Sequence, residues 1–105
     1  MLARAHACLA AACVLLAASP AGAALPVPTR AQAIRWVGST VEAHARSCGY
    51  TVLKVTATPW KRGWKVATTL RFASDGHVST ALWGVFRPNP TPADPLSGEI
   101  ALGCP

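Results

Sequence analysis

The densest chemistry in this chain lies in six consecutive residues, Trp60-Lys61-Arg62-Gly63-Trp64-Lys65, where two indoles interleave with three cations. Such a set can insert at a headgroup boundary, stack on sugar rings or grip phosphates. The competing structural reading packs Trp64 in the core, lays Trp60 over its edge and leaves Lys61 and Arg62 as solvated turn residues. Trp83 is a further indole of interest. The strand register preferred below sets it with Val85 on an outer face among Lys65, Thr69, Arg71 and Ser79, the composition of a binding patch. Cover by the leader or by the proline-rich loop, or a different register, would remove it from that patch.

Other chemistry is poorly supplied. His44 and Cys48 are four apart, a spacing that puts two ligands on one helical face, but a metal site needs His77, Cys104 or an acid to converge with them. Nucleophilic catalysis by Cys48 with His44 or His77 needs a free thiol. The acids are Glu42, Asp75, Asp94 and Glu99, and each has a local use: a helix pair, a turn, the proline loop and a strand start. No paired carboxylates, glycine-rich phosphate cradle or nucleophile elbow stand out. The sequence therefore predicts a protein that is not an enzyme, with no cofactor and no metal site.

Residues 1–23 read as a secretory signal peptide. Arg4 supplies a charged start, an apolar stretch runs from Ala7 to Ala18, and Ala21-Gly22-Ala23 supplies small side chains for cleavage after Ala23, or after Ala24. That stretch is well short of the roughly 20 residues needed to span a bilayer, so no transmembrane span is expected in the mature chain. Cys8 and Cys13 would leave with the signal. Residues 24–105 then form a single small domain, secreted or periplasmic, with nine Lys and Arg against four acids. Cys48 and Cys104 remain, and in an oxidising compartment an even pair reads as a disulfide. Its loop of about 57 residues is worth roughly 4 kcal/mol on the chain-entropy account.

Those side chains must be held by elements with their own signals. Thr29 and Gln32 have capping-box spacing, and Ile34, Val37, Val41, Ala45 and Cys48 recur at helical intervals up to Gly49, which predicts a helix over 29–48. From Tyr50 the period falls to two, with Leu53, Val55 and Ala57 on one side of a strand that ends at Pro59. Val66, Thr68, Leu70 and Phe72 alternate along a second strand, and 78–87 forms a third. A three-residue loop with Gly76 in a left-handed bulge pairs Phe72 with Val78 and Trp64 with Phe86, gathering apolar side chains on one face; the two-residue alternative pairs Phe72 with Ser79. Four prolines make 87–98 a loop, and Ile100, Leu102 and Cys104 then share one face of a last short strand.

The expected fold is α+β: one N-terminal amphipathic helix packed on a three- to four-stranded antiparallel sheet. Cystatin-like and PepSY-like domains share that general order, although no stretch matches the motif of either family. The expected function is a binding module for an anionic or carbohydrate-bearing envelope partner, an anionic polymer or an exported protein rather than specific nucleic acid. Its contact surface would comprise Trp60, Lys61, Arg62, Lys65, Arg71 and Trp83. The alternative is a regulator or inhibitor of an extracytoplasmic enzyme, suggested by the helix-on-sheet order and the exposed hairpin turn.

Overall fold

The computed structural model describes residues 26–104. The expected signal peptide, with Cys8 and Cys13, lies outside the described residues. Helix α1 spans Arg30–Cys48, and four strands follow: β1 (Tyr50–Trp60), β2 (Gly63–Phe72), β3 (Val78–Val85) and the short β4 (Thr91–Pro92). A second helix, α2 (Pro95–Leu102), ends the described chain. The strands form one antiparallel sheet in the order β1-β2-β3-β4. Both helices join its inner face, with Ala33, Val37 and Val41 of α1 and Ile100 of α2 in the core.

Helix α1 starts where its sequence says it should. The Gln32 N–H donates to Thr29 Oγ1 at 3.1 Å, and the Thr29 N–H donates to Gln32 Oε1 at 2.9 Å. Two otherwise unpaired first-turn donors are thereby satisfied, a cap worth about 1 kcal/mol. Gly49 closes the other end at φ 66°, and its N–H donates to Ala45. The buried stripe is Ala33, Val37 and Val41, with Ile34, Ala45 and Cys48 partly covered at its flanks.

Strand β1 departs from simple alternation. Its register with β2 shifts between Val52 and Lys54, so a bulge at Leu53 lets Val52, Val55 and Ala57 pair with the inward residues Leu70, Thr68 and Val66. Leu53, expected beside Val55, is instead 43% exposed. With Pro59 near its end, β1 is an outer strand of the sheet, interrupted at both ends.

The β2–β3 register corrects the expected one. The turn holds four residues, Ala73 to Gly76: the Phe72 N–H donates to His77 at 2.9 Å and the Gly76 N–H donates to Phe72 at 2.8 Å. Asp75 stabilises that length by accepting from the His77 backbone N–H at 3.0 Å and from His77 Nδ1 at 2.5 Å, while Gly76 takes φ 74°. These His77 hydrogen bonds, backbone first, hold the Asp75 carboxyl below its ordinary range, so their contribution is present at neutral pH and lost on acidification.

Arg71 consequently pairs with Val78, Val66 with Trp83 and Trp64 with Val85. One step in register exchanges the faces of β3. Ser79, Ala81, Trp83 and Val85 turn inward, whereas Val78, Leu82 and Phe86 turn outward. Trp83 is therefore fully buried and does not belong to an outer patch. Its Nε1–H donates to Thr68 Oγ1 at 3.3 Å, and Thr68 Oγ1 donates to Ala81 at 3.2 Å, so the buried polar atoms are satisfied.

A second correction concerns the C-terminal segment. Residues 99–104 are not a strand, because Asp94 caps a helix whose first residue is Pro95. Asp94 Oδ1 accepts from the Ser97 N–H at 2.7 Å, and Oδ2 accepts from the Leu82 N–H at 3.1 Å, joining α2 to the edge of β3. Cys48 and Cys104 are bonded as expected, and the bridge ties together the C-terminal ends of the two helices.

Tyr50 locks α1 to the sheet: its hydroxyl donates to the Val41 carbonyl, and its ring meets Phe72 edge-on at 5.8 Å. Burial, with the nearby Glu42 charge, pushes its phenol up to about 12. A raised pKa means that the neutral form is favoured by folding, so this contribution is intact below pH 10 and lost as pH rises toward 12. Tyr50 is the single tyrosine, so phenolate absorbance should titrate near 12 in the native protein and near 10 in denaturant. Coincident midpoints would show that the phenol is not held by the fold.

Candidate functional site

With Trp83 inside, the outer face of the sheet is organised around its β1–β2 end. Trp60 pairs with Gly63 across a two-residue turn made of Lys61 and Arg62, both exposed. Lys61 takes φ 52°, a backbone region that suits glycine better than a residue with a Cβ. Holding a lysine there places its ammonium 4.6 Å from the centroid of the Trp60 ring. Lys65 Nζ lies 5.1 Å from the same centroid, so two cations share one indole.

Trp60 packs against Phe86 at 5.5 Å between centroids, and glycines make room for the pair. A Cβ on Gly84 would lie 2.9 Å from Trp60 Cζ3 and 3.2 Å from Phe86 Cε2. At Gly63 it would lie 2.1 Å from the Val85 carbonyl oxygen and 2.7 Å from Phe86 Cδ1. The side chains of Trp60 and Phe86 thus lie over two adjacent strands that present bare backbone, each residue partly buried.

Beyond Phe86, the chain crosses to β4 through Arg87–Pro90, and Phe86, Arg87, Asn89 and Thr91 line an open cleft of about 510 Å³. The pairing of Thr91 with Gly84 fixes its far wall. Among the described residues the single ion pair within 4 Å is His77 with Asp75. Lys61, Arg62 and Arg87 are exposed and Lys65 half-buried, all without a carboxylate partner at that distance.

The six expected site residues divide three ways. Trp60, Lys61, Arg62 and Lys65 meet at the hairpin end. Arg71 shares their face but pairs with Thr51 and Val78 near the opposite end of β2. Trp83 belongs to the core. Trp64 also faces inward, its Nε1–H donating to Pro28 at 2.6 Å beneath the Arg30 guanidinium, which lies 5.1 Å from the ring centroid. Phe86, Arg87, Asn89 and Thr91 were not anticipated. Gly84, inside the third strand, was the available signal, since a strand glycine often marks a close approach; Gly63 is the first residue of β2.

The alternatives from the sequence have other occupations here. Cys48 is in the disulfide, and His44 Nδ1–H donates to the Thr40 carbonyl at 2.9 Å along its own helix. No group of three His, Cys, Asp or Glu side chains is placed to hold a metal among the described residues. No helix among them is long and apolar enough to cross a membrane.

Compared with known protein families, with characterised proteins and with solved structures, the chain matches none.

The two indoles should respond differently to truncation. Trp83→Ala removes a fully buried ring and should cost about 3–5 kcal/mol in denaturant unfolding. Trp60→Ala, losing one ring contact and two cation contacts, should cost only about 1–2 kcal/mol. The reverse order would contradict the assignment of faces.

Proposed function

We propose that this protein is a small exported binding domain, not an enzyme, that holds an anionic or carbohydrate-bearing envelope partner at the hairpin end of its outer sheet face. The observation that carries this reading is the Trp60–Phe86 pair, held over Gly63 and Gly84 and flanked by cations that lack carboxylate partners among the described residues. Desolvating an unpaired cation is costly unless the partner supplies negative charge, so this end selects acidic surfaces. The rings add contact area whose rotamers are already restricted by packing, so little side-chain freedom is lost on binding. An excess of basic residues adds long-range attraction to such a partner.

Arg71 is too far along β2 to share this contact and Trp83 is enclosed, so the surface contracts to Trp60, Lys61, Arg62 and Lys65, with Phe86 added. The Cys48–Cys104 bridge supports an oxidising destination.

Retention of the oxidised protein on isolated envelope fractions tests the reading. Lys61→Glu with Lys65→Glu should reduce retention at least about tenfold at moderate salt, while the melting temperature stays within about 4 °C. Retention by the parent protein should weaken as salt rises. Retention indifferent to both the charge reversal and salt would overturn the proposal.

A further inference from the structure

The cleft beside the aromatic pair has a more specific chemistry than the hairpin end as a whole. Its lining offers one aromatic and three polar residues: Phe86, Arg87, Asn89 and Thr91. The side-chain inventory is unbalanced toward donors. A guanidinium brings five N–H donors, a carboxamide two and a hydroxyl one, against side-chain acceptors only at the Asn89 carboxamide and the Thr91 hydroxyl. No carboxylate lines the cleft. A ligand rich in acceptors and carrying negative charge would complement these residues, and an apolar patch on it would cover Phe86.

We infer that this cleft binds a single acidic sugar unit, a pyranose bearing a carboxylate, within the anionic or carbohydrate-bearing partner proposed above, on which reading this inference rests. The Arg87 guanidinium matches a carboxylate through two parallel N–H···O bonds. Asn89 and Thr91 can each donate to and accept from ring hydroxyls. The C–H face of a pyranose supplies the apolar surface that Phe86 requires, as sugars and aromatic rings present complementary flat faces. A volume of about 510 Å³ lies within the ordinary range of small-ligand sites.

The walls are set before the ligand arrives. Phe86 is fixed by Trp60 and by the absent side chains at Gly63 and Gly84. Pro88 and Pro90 restrict the connecting backbone, and Thr91 is held by its pairing with Gly84. Just beyond it, the Ala93 N–H donates to Leu82 at 2.8 Å, so the segment is fastened on both sides of β4. Less ordering cost remains to be met on binding. Lys61 and Lys65, around the neighbouring Trp60 ring, add positive potential without lining the cleft.

Backbone amide NMR titration of the oxidised protein with sodium glucuronate, glucose and sodium phosphate tests this. Glucuronate should shift Phe86, Arg87, Asn89 and Thr91 saturably, with glucose and phosphate each binding at least about tenfold more weakly, the worth of one charge-assisted contact. Arg87→Ala should bring glucuronate down to the level of glucose, and Asn89→Ala should weaken both sugars. Equal binding of glucose and glucuronate, or of phosphate and glucuronate, overturns the assignment, as does glucuronate binding unchanged by Arg87→Ala. If these fail while envelope retention still depends on Lys61 and Lys65, the cleft assignment alone falls. If retention is also indifferent to those lysines, the broader reading falls with it.

Discussion

The alignment of β3 against β2 is the constraint from which most of this structure follows. With Trp83 opposite Val66, the largest side chain of β3 enters the core, and its indole N–H finds the Thr68 hydroxyl. An indole without such a partner would leave a buried donor unsatisfied, at about 1–3 kcal/mol. The same alignment turns Gly84 outward to accommodate Trp60 and turns Phe86 outward to meet it. Core and candidate surface are thus two faces of one pairing decision, made in the turn where Asp75 captures His77.

Asp94 has a comparable role at the other margin of β3. One oxygen accepts the first-turn amide of α2 and the other accepts the Leu82 N–H, which a longer β4 would otherwise have served. Ser97 Oγ reaches both Asp94 Oδ1 at 2.6 Å and the Leu82 carbonyl at 2.5 Å. A carboxylate, a hydroxyl and a helix start therefore finish the sheet where a two-residue strand cannot. The short β4 in turn leaves the cleft beside Phe86 open.

Local signals were readable in the residues. Thr29, Gln32 and Gly49 mark the ends of α1 because caps are satisfied within a few positions of themselves. The alternation of Val66, Thr68, Leu70 and Phe72 marks a half-buried strand, and Cys48 with Cys104 makes the bridge. The β3 register was not readable, because three-residue and four-residue turns differ by one residue and apolar side chains occur on both faces of β3. Val78, Leu82 and Phe86 outnumber the large inward residues, yet Trp83 and Val85 win with the help of Thr68 and the space at Gly84. Alternation at Ile100 and Leu102 misled for another reason: Asp94-Pro95 and Gly103 are helix boundaries, and Leu102 is 92% exposed while Ile100 is buried. At the site, Trp60, Lys61, Arg62 and Lys65 were legible as neighbours in sequence, whereas Phe86 arrives through the pairing of strands.

The bulge at Leu53 and the ring of Pro59 also shape how copies of this molecule meet one another. An uninterrupted outer strand would expose a regular ladder of amides and carbonyls on which another chain could zip. In β1 the bulge breaks that ladder's spacing near one end, Pro59 removes a donor near the other, and Lys54 adds charge between them. Growth of the sheet by self-templating at this edge is therefore discouraged by the backbone itself.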